Sequence, residues 1–156
     1  MIPKYESLGL LLHDAQRAMR RAFDARMGAL GLSSAQWRLL LHALREGGPT
    51  QSRLADLLEI EPISVSRLID RMEAQGWVER QADPHDRRVR LVKPSARALA
   101  LRDDLRRMAE EIYAEALVGI SADEKQILMQ CLRTITRNLA GAGFAPPGCG
   151  ELGNDD

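Results

Sequence analysis

The sequence predicts a mainly α fold: a winged helix–turn–helix with long N- and C-terminal dimerisation helices. Three observations carry that prediction. Between Pro62 and Gly76, Val65, Leu68, Ile69 and Met72 recur at i, i+3, i+4 and i+7, the spacing of a helix with one buried stripe. After Gly76 come Trp77-Val-Glu-Arg-Gln, a charged tip Ala82-Asp-Pro-His-Asp-Arg and Arg88-Val-Arg-Leu-Val-Lys, which read as two strands joined by an Asp83-Pro84 turn. On both sides of this unit lie long apolar-striped helical segments that residues 34–93 cannot cover alone. A second copy of the chain is expected to cover them, giving a two-fold dimer.

In chain order, Ser7 to about Leu30 reads as one helix, bounded by Pro3 and Gly31, with Leu8, Leu11, Leu12, Ala15, Ala18, Met19, Ala22 and Phe23 on its apolar stripe. A Ser cap before Ala35-Gln36-Trp37 opens a second helix, whose core set is Trp37, Leu40, Leu41 and Leu44 and which ends at Gly47-Gly48-Pro49. Thr50 caps a short third helix that buries Leu54, Leu57 and Leu58. Glu59-Ile60-Glu61 turns the chain into the helix from Pro62, a residue suited to a first helical turn, while Gly76 suits the C-terminal cap. In the returning strand, Val89 and Leu91 alternate with Arg88 and Arg90, the pattern of a half-buried strand. Pro94 is read as the start of one long helix to about Val118, with Leu101, Leu105, Met108 and Ile112 on its stripe. Ser121-Ala-Asp-Glu is a capping box, and Leu128, Leu132, Ile135 and Leu139 form a near-heptad seam on the last helix. The chain is thus one domain, 1–140, with a DNA-binding lobe at 34–93 and dimerisation helices at 7–30 and 94–140. Residues 141–156 are expected to be disordered, because after Gly141 come four Gly, two Pro, three acids and no base.

Composition narrows the function. The 156 residues are 45% hydrophobic and 28% charged, which places the chain among globular proteins. Net charge is zero, unlike a simple polycation, yet residues 62–97 hold eight Lys/Arg against five Asp/Glu. Cys131 and Cys149 are too few for a disulfide scaffold or a metal site, and Cys131 reads as a small core residue. With no secretory leader and no apolar run of membrane-spanning length, a soluble cytoplasmic protein without a membrane partner is the expectation. There is no nucleophile–base pair, metal-ligand spacing or Gly-rich phosphate loop, so no enzyme, no cofactor and no metal are expected.

The second helix of a helix–turn–helix enters the major groove of DNA. Opposite the buried stripe stand Ile63, Ser66, Arg67 and Asp70, with Ser64 and Arg71 at the edges. Arg67 is the candidate for guanine O6 and N7, and Ile63 for a thymine methyl. Asp70 is placed to orient Arg67 or to accept from a cytosine amino group. The hydroxyls of Ser52, Ser64 and Ser66 suit phosphates. At the hairpin tip, Asp86, Arg87 and Arg88 suit a minor groove, whose negative potential attracts an inserted Arg that a nearby carboxylate holds extended. Taken singly, an amphipathic helix with two outward Arg is a solvated helix, and a charged tip is a soluble tip. The full order of elements is what points to DNA.

At this point the chain resembles the MarR/SlyA family of bacterial transcription regulators. The residues that carry the resemblance are Leu30-Gly-Leu-Ser-Ser-Ala-Gln-Trp37, Gln51-Ser-Arg-Leu-Ala-Asp-Leu-Leu58, Ile60-Glu-Pro-Ile-Ser-Val-Ser-Arg-Leu-Ile-Asp70, Gly76-Trp-Val-Glu-Arg80 and Asp83-Pro-His-Asp-Arg-Arg-Val-Arg-Leu91. The resemblance spans residues 7 to 140 and is most specific in the wing. It implies a dimer on a pseudo-palindromic operator of double-stranded DNA, Arg67 in the major groove, Arg88 in the minor groove and Asp86 as its support. It also implies release of DNA by a small aromatic carboxylate held between the two lobes. Two positions depart from the family: Glu59 stands where a small residue is usual in the turn, and Val92-Lys93-Pro94 replaces a usual Leu-Thr closure.

Arg17 and Arg20 on the first helix, with Trp37 on the second, are the candidate ligand-binding residues, since an Arg beside an aromatic suits a benzoate-like anion. Peroxide-sensing members carry a reactive Cys near the first helix, and this chain has none there. The competing function from another class is a winged-helix protein–protein interaction module without DNA binding, favoured by eight acids within 50–97 and opposed by Arg67, Arg87 and Arg88.

Overall fold

The computed structural model describes residues 7–144. Helix α1 spans Leu8–Met27 and ends in one turn of 3-10 helix at Gly28–Leu30, where Gly31 turns the chain at φ 73°. Helix α2 spans Ser34–Glu46 and starts in a capping box: Gln36 N donates to Ser33 Oγ and Ser33 N donates to Gln36 Oε1. Helix α3 spans Gln51–Leu58 behind Thr50, whose hydroxyl accepts from Arg53 N. Helix α4 spans Pro62–Ala74. Strands β1 (Val78–Ala82) and β2 (Arg90–Pro94) pair antiparallel, with Arg80 opposite Val92. Helices α5 (Ala96–Ala100), α6 (Arg102–Ala116) and α7 (Ala122–Gly141) follow.

One core serves the middle of the chain. Leu39, Leu40, Leu54, Val65, Ile69, Met72, Trp77 and Val92 are fully or almost fully buried and join Met27 of α1 and Leu105 and Ile112 of α6 in a single cluster. On α2 the buried set includes Leu39 and Ala43, while Leu41 and Leu44 are half-buried against it, so the stripe is rotated toward Leu39 from the expected one. In β2 the fully buried residue is Val92, with Leu91 half-buried, and Val89 just before the strand is half-buried too. Val92 N donates to Pro49 O and Leu91 bridges Thr50, so β2 is also tied to the chain that enters α3.

Four sequence expectations change. The wing tip is longer, because the ladder stops at Ala82 and Arg90 and leaves Arg88 and Val89 in the tip. Pro94 closes β2, and Ser95 is the cap of α5, accepting from Ala98 N. The single helix expected from Pro94 to Val118 breaks at Leu101 (φ −96°, ψ 3°), in the sparsely allowed bridge region. α5 is held against the hairpin while α6 packs along α1. Cys131 is exposed, not in the core, because α7 buries no residue within its own chain. Gly141, expected in the tail, is the last residue of α7; Cys149 and the rest of the expected disorder, residues 145–156, lie outside the described residues.

The turn between α3 and α4 carries the one left-handed non-glycine among the described residues, Glu59 at φ 53° and ψ 42°. Its N–H closes α3 onto Ala55 and Asp56 carbonyls, so the conformation is required by the turn. An L residue with a Cβ costs about 1–2 kcal/mol there. Glu59→Gly is therefore expected to raise stability by about 1 kcal/mol in urea unfolding at fixed protein concentration, while Glu59→Ala, which keeps the Cβ, gives no such gain.

Candidate nucleic-acid interface

Helix α4 presents two unlike faces. Val65, Leu68, Ile69 and Met72 are buried, while Ile63, Ser64, Arg67, Asp70 and Arg71 are exposed and Ser66 is half-buried. Ile63 keeps 61% of its surface, unusual for an isoleucine that could have packed inward. Pro62 stands in the first turn, and the N-cap Glu61 makes no side-chain cap bond, so the amide end of the helix is left open. Ser52 is exposed in the first turn of α3. Arg67, Arg71, Arg87 and Arg88 make no ion pair among the described residues.

Asp70 does have a partner, but it is Arg80 of β1, at 2.7 Å, and not Arg67. Arg80 also donates to Glu73 through Nη1 (2.7 Å) and to the Ser66 carbonyl through Nη2 (3.2 Å), and its backbone N–H donates to Glu73 (2.7 Å). No local sequence signal marks Arg80 as a site residue, because its partners lie on another element at separations that no helical or strand period marks.

The wing tip is built on carboxylates that accept backbone amides. Asp83 Oδ1 takes the N–H of His85 (2.7 Å) and of Asp86 (3.2 Å), and Asp86 Oδ1 takes the N–H of Arg88 (2.9 Å). Asp83 N to Val89 O and Val89 N to Asp86 O close the loop. These are Asx turns, in which a short side chain substitutes for a backbone acceptor. Asp86 thus holds the main chain at Arg88 and leaves the guanidinium free.

At the far end of α4, Gln36 donates to Gln75, the C-cap, and Arg97 donates to the Gln75 carbonyl while lying 4.0 Å over the Trp77 ring. The candidate ligand residues are not gathered in one place: Trp37 is buried in the core, and Arg17 and Arg20 are exposed on α1 without ion pairs among the described residues. Half-buried His42 on α2 has its pKa lowered, first by burial. No group of three or more His, Cys, Asp or Glu is placed to hold a metal, and no helix is long and apolar enough to cross a membrane, both among the described residues.

A helix–turn–helix with an exposed second helix and an arginine-tipped hairpin defines a winged-helix fold of the kind used to regulate transcription. Comparison with known proteins agrees. The model of the MarR family matches residues 30–89. The transcriptional regulator PA3341 is 36% identical, covers 86% of this chain and 99% of its own, and superposes at a TM-score of 0.76. A mutant of MarR from E. coli, solved in complex with operator DNA, is 26% identical over 82% of this chain and 92% of its own, at a TM-score of 0.74. A further MarR crystal structure, 23% identical, shares the fold at a TM-score of 0.81 over 91% of this chain and 97% of its own. The chain belongs to the MarR family, a family of transcription regulators and not of enzymes.

The tip geometry makes a local prediction. Asp86→Ala is expected to speed hydrogen exchange at the Arg88 amide, and Asp83→Ala at those of His85 and Asp86, each at a stability loss of about 1 kcal/mol or less. Unchanged exchange at Arg88 in Asp86→Ala shows that the carboxylate does not hold the tip.

Proposed function

We propose that this chain binds double-stranded DNA as a homodimer, each protomer laying α4 in a major groove of a pseudo-palindromic operator and its wing along the neighbouring minor groove. The observation that carries the reading is the division of α4: its apolar stripe is spent on the core, and its exposed face offers Ile63, Ser64, Arg67 and Arg71 with both guanidinium groups uncommitted. Ser52, Ser64 and Ser66 are assigned to phosphates, Arg67 to a guanine, Ile63 to a thymine methyl, and Arg87 and Arg88 to the wing's contacts. The operator complex of the E. coli MarR mutant supports the same reading. With a DNA target the proposed place of action is the cytoplasm, and the proposed role is that of a repressor that blocks transcription by occupying its operator.

The dimer rests on surface left uncovered. Leu8, Leu10, Leu11 and Leu12 of α1 and Ile127, Leu128, Met129 and Leu139 of α7 are exposed in one chain, and isolated helices gain little stability without a partner. Two-fold symmetry of the protein then sets two-fold symmetry of the site it reads. A small aromatic carboxylate is proposed as the releasing ligand, with the exposed Arg17 and Arg20 as candidate anion holders; Trp37, buried in the core, does not share their surface. Release of bound duplex by benzoate in the wild type, and its loss in Arg20→Ala, tests that role.

Duplex titration at two salt concentrations is the primary test. Neutralised phosphates give a steep loss of affinity with salt, whereas a protein–protein module gives none. Arg67→Ala is expected to cost about 1–3 kcal/mol on the specific site and to relax choice at one base pair. Equal weakening on every sequence reassigns Arg67 to a phosphate. Asp86→Ala is expected to weaken binding although it removes a negative charge, because a loose tip costs entropy on insertion; tighter binding contradicts that support role. Leu132→Glu is expected to dissociate or unfold the dimer, and a monomeric wild type at micromolar concentration by light scattering ends the dimer reading.

A further inference from the structure

We propose that Arg80 is the positioning residue that fixes the wing against the recognition helix when the protein grips DNA. The inference rests on the DNA contacts proposed above and names a residue that touches no base and no phosphate. Arg80 lies in β1, opposite Val92 of β2, so its backbone belongs to the hairpin. Its guanidinium reaches Ser66 O, Asp70 and Glu73, positions i, i+4 and i+7 of α4, which form one stripe along the helix. A second link runs between the same two residues, from the Arg80 backbone amide to Glu73.

The hairpin is held at its base, where Val78 and Val92 are buried and Val92 N donates to Pro49 O, and not at its tip. It joins α4 through the Gly76 turn and its tip is exposed from Pro84 to Arg88. A planar fork with several fixed donors holds an angle that a flexible ammonium on a long stem does not. The same pairing occupies Asp70, which at i+3 from Arg67 is otherwise its nearest intrahelical carboxylate, and leaves Arg67 free for the groove. Helix and wing must enter adjacent grooves at one spacing. A brace formed before binding removes the cost of ordering the hairpin at that moment.

The test is a double-mutant cycle between Arg80 and Arg88, residues with no recorded contact. The probe is a duplex selected from a randomised pool by the wild-type protein, prepared with A·T-rich or G·C-rich flanks where the wing falls. Arg88→Ala is expected to cost about tenfold in affinity in the wild-type background and less than about twofold in Arg80→Gln. Arg80→Gln is also expected to lose the preference for A·T-rich flanks, which report a narrow minor groove. Glu73→Gln removes a half-exposed carboxylate without altering β1, and it is expected to give the same two results if Arg80→Gln does not fold. Equal cost of Arg88→Ala in both backgrounds, or a retained flank preference in folded brace variants, overturns the proposal. If Arg88→Ala has no effect even in the wild type, the wing contact itself is wrong, and the brace falls with it.

Discussion

The C-terminal end of α4 is the point on which the rest of the structure depends. Trp77 is fully buried, and its N–H donates to the Met72 carbonyl as Gly76 turns the chain at φ 74°. Ser95 returns two bonds to this corner, from its N–H to Trp77 O and from its hydroxyl to Gly76 O. Gln36 and Arg97 hold Gln75 from α2 and α5. Four elements therefore meet where the recognition helix stops, and its opposite, open end is aimed by that anchorage. Among the described residues the buried indole N–H of Trp77 has no acceptor, a cost of about 1–3 kcal/mol that burial of the ring must offset.

Much of this was legible in the chain itself. The stripe of α4, a Ser cap on α2 and the caps at Thr50 and Ser121 follow from spacing and turn chemistry and stand where expected, and the two strands of the wing pair as expected, though over a shorter ladder. What escaped has a common physical origin. The break at Leu101 carries no Gly or Pro; it arises because α5 and α6 answer to different neighbours. Arg80 looked like any outward strand residue, since nothing local reveals that its partners sit 7, 10 and 14 positions back on α4. Cys131 followed a helical apolar pattern correctly, but the pattern does not say which chain covers it.

Zero net charge does not prevent an electrostatic interface, because charge is partitioned at short range. In α4 and the wing tip, the carboxylates are engaged: Asp70 and Glu73 on Arg80, and Asp83 and Asp86 on backbone amides. Among the described residues, the guanidinium groups of Arg67, Arg71, Arg87 and Arg88 form no ion pair. With a screening length of about 8 Å at physiological salt, an approaching phosphate responds to those nearby groups more than to the total. The acids work as internal scaffolding, and the bases are left for a partner.

Helix α7 is twenty residues long with none buried in its own chain, so a second copy that covers it, as proposed, would tie the protein's integrity to its own abundance. Under the dimer proposed here, folding and association are one equilibrium, and stability rises with protomer concentration by mass action. Dilution on cell growth then does more than thin the supply of regulator. It frees an apolar helix that proteases and chaperones act on, so the active population falls faster than the total. Operator occupancy acquires a threshold in gene dosage that a monomer of equal affinity does not have.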